Sequence, residues 1–278
     1  MAKSSTCGSP QRGQNGKDQN RNFGVGNAMN LGEVTIVALV FALAGLVKGA
    51  IGLGLPTISM GLLGALMPPG QAAAILIVPA LATNAWQIWD GPALKALLLR
   101  LWPVLVCTIF GTLAAVGILT KVDVRLTGAL LGAILIVYSI TALSGIGFKV
   151  APRSEPIVGA VVGLTTGIIN GATGIFVVPA VPYIQAIGLS KDELVQALAI
   201  SAFVSSIALG LGLGMNKGLT SAVAAPAVVG LAASFVGMAM GKALRSRLSA
   251  DTFRRFVLIG LLALGASMIC RHIYSAGS

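Results

Sequence analysis

The length of its apolar runs constrains this chain more than any other feature. A helix needs roughly 20 apolar residues to cross the hydrocarbon layer of a bilayer. Runs of that kind recur at Val34 to Met67, Gln71 to Trp89, Leu101 to Thr120, Val124 to Ile146, Ile157 to Leu189, Leu194 to Met215, Leu219 to Leu244 and Phe256 to Ile273. The composition agrees: 56% of residues are hydrophobic, 10% are charged and the mean hydropathy is +0.92, the profile of an integral membrane protein. The eight runs fall into two sets of four. They predict an all-α membrane fold of about eight transmembrane helices in two tandem four-helix repeats. The first run of each set exceeds 30 residues, too long for one crossing, so it must be tilted, kinked or folded into a re-entrant pair.

Those two long runs share their punctuation. "GLVKGAIGLGLP" (Gly45 to Pro56) laid without a gap over "GLTTGIINGATG" (Gly163 to Gly174) matches Gly45 with Gly163, Leu46 with Leu164, Gly49 with Gly167 and Ile51 with Ile169, at a spacing of 118 residues. The match extends to Gly70 with Gly188, Leu76 with Leu194, Thr83 with Ser201 and Gln87 with Ser205. A duplicated membrane unit whose first helix is broken at a Gly-rich motif is a transporter signature. Gly-x-x-x-Gly spacing at Gly45/Gly49 and Gly163/Gly167 also serves close helix packing, which is the plainer reading of those four positions.

The net charge of +11 comes from 19 Lys and Arg against 8 Asp and Glu. In a membrane chain such charge sets orientation and contacts anionic lipid, and no nucleic-acid partner is expected. The cluster Lys242, Arg245, Arg247, Arg254 and Arg255 argues for a cytoplasmic loop, while Lys3, Arg12, Lys17 and Arg21 argue for a cytoplasmic N-terminus; with eight simple crossings the two conflict. Residues 1–30, rich in Ser, Gly, Gln and Asn, read as a disordered polar tail. They lack the short apolar core of a cleaved signal peptide. Repeat 1 is expected over 31–147, a linker over 148–156 and repeat 2 over 157–278. Cys7, Cys107 and Cys270 are scattered and odd in number, so no disulfide framework or metal site is expected.

Within the apolar runs the polar residues carry the information, because an ionisable or amide group at bilayer depth costs a few kcal/mol unless it finds a partner or water. Lys48 stands directly before Gly49, with Gly52, Gly54 and Pro56 following. A lysine there can hold an anion as a point charge while the unwound Gly turn supplies backbone donors; otherwise it snorkels to an interface or pairs with a carbonyl. The register of 118 places Thr166 opposite Lys48, and the second break, "NGATG", offers Asn170, Gly171 and Thr173. The second run adds Thr83, Asn84 and Gln87, and the sixth adds Ser201, Ser205 and Ser206. Thr83 with Gln87, and Ser201 with Ser205, share a helix face. Interhelical hydrogen bonding without a ligand is the alternative for these hydroxyls.

Other candidates are weaker. Trp86 and Trp89 read as interfacial anchors beside Asp90, Lys95 and Arg100, and Lys191, Asp192 and Glu193 as a helix start. No Walker loop, metalloprotease motif, nucleophile elbow or paired intramembrane Asp is present. An enzyme is not expected, nor any cofactor. A channel subunit and a non-transporting assembly partner remain the other classes.

The paired "GLVKGAIGLGLP" and "GLTTGIINGATGIFVVP" segments, "PALATNAWQ" (Pro79 to Gln87) and "GLSKDELVQALAISAFVSS" (Gly188 to Ser206) resemble the sulfite exporter TauE/SafE family over about Leu31 to Ile273. The resemblance implies a secondary transporter of the bacterial inner membrane for small sulfur oxyanions or organosulfonates. Binding is then expected at Lys48, Gly49, Gly52, Gly54, Thr83, Asn84, Gln87, Thr166, Asn170, Gly171, Thr173, Ser201 and Ser205. The expected partners are a small anionic substrate, membrane lipid and a second copy in a homodimer.

Overall fold

The computed structural model describes residues 31–145, 149–244 and 250–276; the tail 1–30 and, of the basic cluster, Arg245 and Arg247 lie outside the described residues. Among the described residues ten α-helices follow one another: α1 Leu31–Ile51, α2 Leu55–Leu66, α3 Pro69–Trp89, α4 Leu94–Lys121, α5 Val124–Ser144, α6 Glu155–Thr173, α7 Val177–Ala186, α8 Lys191–Met215, α9 Ala224–Leu244 and α10 Ala250–Ala276. Eight of these are long and apolar enough to cross a membrane, which makes the chain a multi-pass membrane protein. The 21 residues of α1 rise about 31 Å, one bilayer. Of the ten, α2 and α7, with 12 and 10 residues, are too short to cross. Large side chains such as Leu39, Leu99, Phe110, Val161, Val228 and Phe256 face outward, as lipid-facing positions do.

Each long first run divides into a full helix and a short one. The first break is Gly52 to Gly54, where Gly52 (φ 95°) and Gly54 (φ 116°) take left-handed conformations that a side chain rarely adopts. The second lies at 174–176, opening with Gly174 (φ 74°). Asn170, Gly171 and Thr173 therefore belong to the last helical turn of α6, and the second break falls later than the sequence motif suggests.

Which residues meet gives the direction of every helix. Gly45 lies against Ser234 and Gly49 against Met238, so α1 and α9 run parallel; Gly163 lies against Val104 and Gly167 against Thr108, so α6 and α4 run parallel. Gln196 meets Ile88 and Gly210 meets Ile77, so α3 and α8 are antiparallel. Arg254 reaches Ala142 and Gly265 meets Gly132, so α5 and α10 are antiparallel too. The Lys48 side chain reaches Asn84, near the end of α3, so α1 and α3 point the same way and α2 runs back between them. The face where α1 ends, called the upper face here, thus carries the ends of α3, α5 and α9 and the starts of α4, α6, α8 and α10. Because α1 and α3 point one way and α6 and α8 the other, the first half begins at the face opposite to the one where the second half begins.

Close backbone contact holds the parallel pairs. A Cβ added at Gly45, Gly49, Gly237 or Gly241 would sit 2.0–2.3 Å from a carbonyl oxygen across the α1–α9 interface, and one at Gly163, Gly167, Gly171 or Gly111 would sit 2.3–2.5 Å from one across α4–α6. Without a hydrophobic driving force in lipid, such approach supplies the van der Waals contact that joins helices. Each pair takes one helix from each half of the sequence, so the halves interlock. Around the breaks three helix boundaries share one separation: Ile51 and Thr173, Leu55 and Val177, and Pro69 and Lys191 are each 122 apart, one helical turn from the register of 118. Under this spacing Lys48 corresponds to Asn170, Thr83 to Ser205 and Gln196 to Ala74.

Candidate functional site

The Lys48 side chain leaves the last turn of α1, 2% exposed, and crosses to α3. Its Nζ donates to Thr83 Oγ1 at 3.1 Å and to Asn84 Oδ1. The Thr83 hydroxyl donates to Pro79 O at 2.7 Å, which turns its lone pairs toward the lysine. An ammonium has three donors, and these contacts use two. Among the described residues no carboxylate pairs with Lys48. The amine is thus held by neutral oxygens alone.

Lys48, Gly49, Gly52 and Gln87 line a cavity of about 610 Å³ that extends to Asp90, Lys191 and Lys242 at the upper face. Gln87 donates to Gly52 O at 2.9 Å, tying α3 to the first break. Gly54 does not line this cavity; it lines a neighbouring one of about 480 Å³. The first break thus borders both spaces, Gly52 lining each of them and Gly54 only the second. Gly49 packs on the Met238 backbone, so its missing side chain makes room for α9.

The corresponding corner of the second half is built around Asn170. Its Nδ2 donates to Thr112 Oγ1 at 3.2 Å and to Ser205 O at 3.1 Å. Gly171 packs on Thr112 O, and Thr173 is satisfied within its own helix end, donating to Ile169 O and accepting from Ile175 N. Thr166, expected opposite Lys48, lies one turn from this corner. Its hydroxyl is buried without a partner, as are the hydroxyls of Ser201 and Ser205 and the Asn84 amide nitrogen. The α3–α8 crossing sets Asn84 level with the turn that carries Ser201, so several of these unused polar atoms share one depth of the bundle. Buried polar atoms without protein partners are costly, and a polar guest or water relieves them.

Two supports carry no motif. Gln196 is 1% exposed and clamps the α3–α4 turn, donating to Ile88 O at 2.9 Å and accepting from Ala93 N at 2.8 Å. Arg100 forms a two-pronged pair with Glu155, at 2.8 and 2.7 Å, and donates to Ile187 O, joining α4, α6 and the end of α7 at the upper face. Their partners lie 103 and 55 residues away, beyond any local pattern. Ser190 and Glu193 form the capping box expected of a helix start at Lys191.

A sequence model described as sulfite exporter TauE/SafE matches residues 37–268, from α1 into α10. The chain belongs to the sulfite exporter TauE/SafE family. Membership makes it a membrane transporter of the sulfite and sulfonate type, in a family of transporters rather than enzymes. Comparison with curated proteins and with solved structures found no match. The matched span takes in both breaks, the Lys48 and Asn170 corners and the upper cavity.

Proposed function

We propose that this TauE/SafE protein exports a small oxyanion, sulfite or an organosulfonate, across the inner membrane of a bacterium by alternating access. Lys48 is the binding cation. The observation that carries this reading is its amine, buried at the base of an open cavity and held by Thr83 and Asn84 without a carboxylate. Were the lysine structural, a paired acid would be the simpler arrangement, since an uncompensated buried charge costs several kcal/mol. Lys191 and Lys242 share the cavity mouth with Asp90 and Asp192, so the mouth carries no net formal charge and the selection of an anion falls to Lys48.

The movement follows from the topology. Helices at corresponding positions run in opposite directions, so the two halves are duplicates of inverted topology. Rocking of one against the other would close the upper cavity and open its counterpart below. Lys48, Thr83, Asn170 and Ser205 stand near the crossing of α3 and α8, where such a motion turns least. Asn84, Ser201 and Ser205 hold unused polar atoms there for the passing anion.

Flux of labelled sulfite in proteoliposomes tests this. Saturable flux should fall about a hundredfold in Lys48→Ala, the scale of a lost charge-assisted contact. Equal flux in the two proteins would remove Lys48 from the mechanism.

A further inference from the structure

The face opposite the upper one carries a cavity of about 290 Å³, between the starts of α3 and α5 and the ends of α4 and α8. The inverted duplication relates it to the Lys48 cavity. At a spacing of 122, Lys191, Asp192 and Gly91 at the upper mouth correspond to Pro69, Gly70 and Leu213, and all three of these line the lower cavity. The two spaces hold equivalent places but differ in depth. The upper one runs inward to Lys48 and Gly49, whereas neither Asn170 nor Gly171, their equivalents, lines the lower one.

Between the Asn170 corner and the lower cavity stands a contact of α4 with α8. Its upper equivalent follows from the glycine packing. Gly45 lies on Ser234 and Gly49 on Met238, as Gly167 lies on Thr108 and Gly171 on Thr112, so α9 matches α4 at a spacing of 126. Lys242 then corresponds to Val116, and Asp90, at the spacing of 122, to Gly212. Lys242 and Asp90 both line the open upper mouth. Below, the equivalents touch: a Cβ added at Gly212 would lie 2.8 Å from Val116 Cγ1, so the valine fills the notch that the glycine leaves. Val116 is 1% exposed. It stands one helical turn from Thr112, the partner of Asn170, and one turn from Thr120, which lines the lower cavity.

The contact joins the first half of the sequence to the second. Helix α4 meets α6 backbone on backbone, but it meets Gly212 through one side chain, which is the easier of the two to part. Among the described residues that line the lower cavity only Lys217 is charged, so an anion that passes the valine meets a cation beyond it.

We propose that the lower cavity is the second mouth of the transport path and that Val116, seated on Gly212, is the gate that closes it while the upper mouth stands open. The gate rests on the transport reading above, and the two can fail separately.

Two measurements test the gate, both on the full chain with Cys7, Cys107 and Cys270 replaced by Ser. The first needs no transport. Thr112→Cys places a thiol behind the gate, and its reaction in detergent with sulfonatoethyl methanethiosulfonate, a water-soluble thiol reagent, is followed by mass spectrometry. Adding Val116→Ala should speed the reaction about tenfold, the worth of the two buried methyl groups removed. Val104→Ala, the same truncation at an equally buried site on α4, should leave the rate unchanged. The second measurement locks the gate. A Cβ at Gly212 lies 3.1 Å from the Val116 Cβ, near the separation of about 3.8 Å that a disulfide spans. Val116→Cys with Gly212→Cys should therefore cross-link under copper phenanthroline. Flux of labelled sulfite in proteoliposomes should then fall about tenfold or more and return on reduction with dithiothreitol, while each single cysteine variant ignores the oxidant. Labelling that Val116→Ala does not speed, or that Val104→Ala speeds as much, would overturn the gate. Full flux through the cross-linked chain, or a cysteine pair that never cross-links, would overturn it equally. Absence of flux from the parent chain would count against the transport scheme itself, and the labelling rates would then decide the gate alone.

Discussion

The Lys48 and Asn170 corners occupy corresponding places in the two halves yet are built for different tasks. Each follows a run of glycines that pack backbone on backbone, each stands in the last turn before a break, and each reaches a residue 35 positions further on, Thr83 or Ser205. At the first corner the reaching group is an ammonium that opens on a cavity. At the second it is an amide whose bonds close on Thr112 and the Ser205 carbonyl. One scaffold can therefore hold a charge in one half and a neutral hydrogen-bonding joint in the other, because the glycine packing that fixes the frame is independent of the side chain at its end.

This comparison can be broken most directly by exchanging the residues. Asn170→Lys should be strongly destabilising, by about 3–5 kcal/mol, because the new ammonium is buried in place of an amide bonded to Thr112 and the Ser205 carbonyl; Lys48→Asn should leave the fold intact. Thermal unfolding of both variants in detergent checks this, and similar melting temperatures would mean that the corners are interchangeable.

The shared frame is tested next. Gly45→Val and Gly167→Val each place a side chain against a backbone carbonyl, and each should cost about 3 kcal/mol, at the upper end of overpacking. The two losses should agree, one at α1–α9 and one at α4–α6. A large loss at only one site, read from the same unfolding curves, would show that the interfaces are not equivalent.

The smallest expected effect concerns a device present on one side only. Gln196 clamps the α3–α4 turn, whereas its counterpart Ala74 has no side chain to clamp the longer stretch between α8 and α9. Gln196→Ala should cost about 1 kcal/mol, the net worth of ordinary hydrogen bonds, and speed amide exchange at Gly91 and Ala93. Unchanged exchange at those amides would show that the turn holds itself.

Much of the frame is legible in the chain itself. The apolar runs bound the helices, the glycines mark both interfaces and one break closely, and Lys48 stands out because a charge in such a run demands an explanation. The register is where the sequence misleads. Matching Gly49 with Gly167 aligns the glycines that pack, but glycines recur every four residues along each interface, so a shift of one turn matches them almost as well. That shift moves the partner of Lys48 from Thr166 to Asn170. Gln196 and Glu155 escape notice, and Arg100 is read only as a neighbour of the interfacial tryptophans, for another reason: each acts on a residue far away in sequence.

The sequence by itself determined that the chain lives in a membrane, that it is helical, where its long runs must break, and that a lysine lies where lipid would otherwise be. Those follow from local rules, namely the length of an apolar run and the conformations open to glycine. Tertiary structure alone decided that the halves run in opposite directions and interlock, that Lys48 meets Thr83 and Asn84 rather than an acid, and that the start of α2 faces a separate cavity. These outcomes depend on which helices pack together, and in lipid that choice rests on shape and close contact between distant segments, which no single stretch of sequence contains.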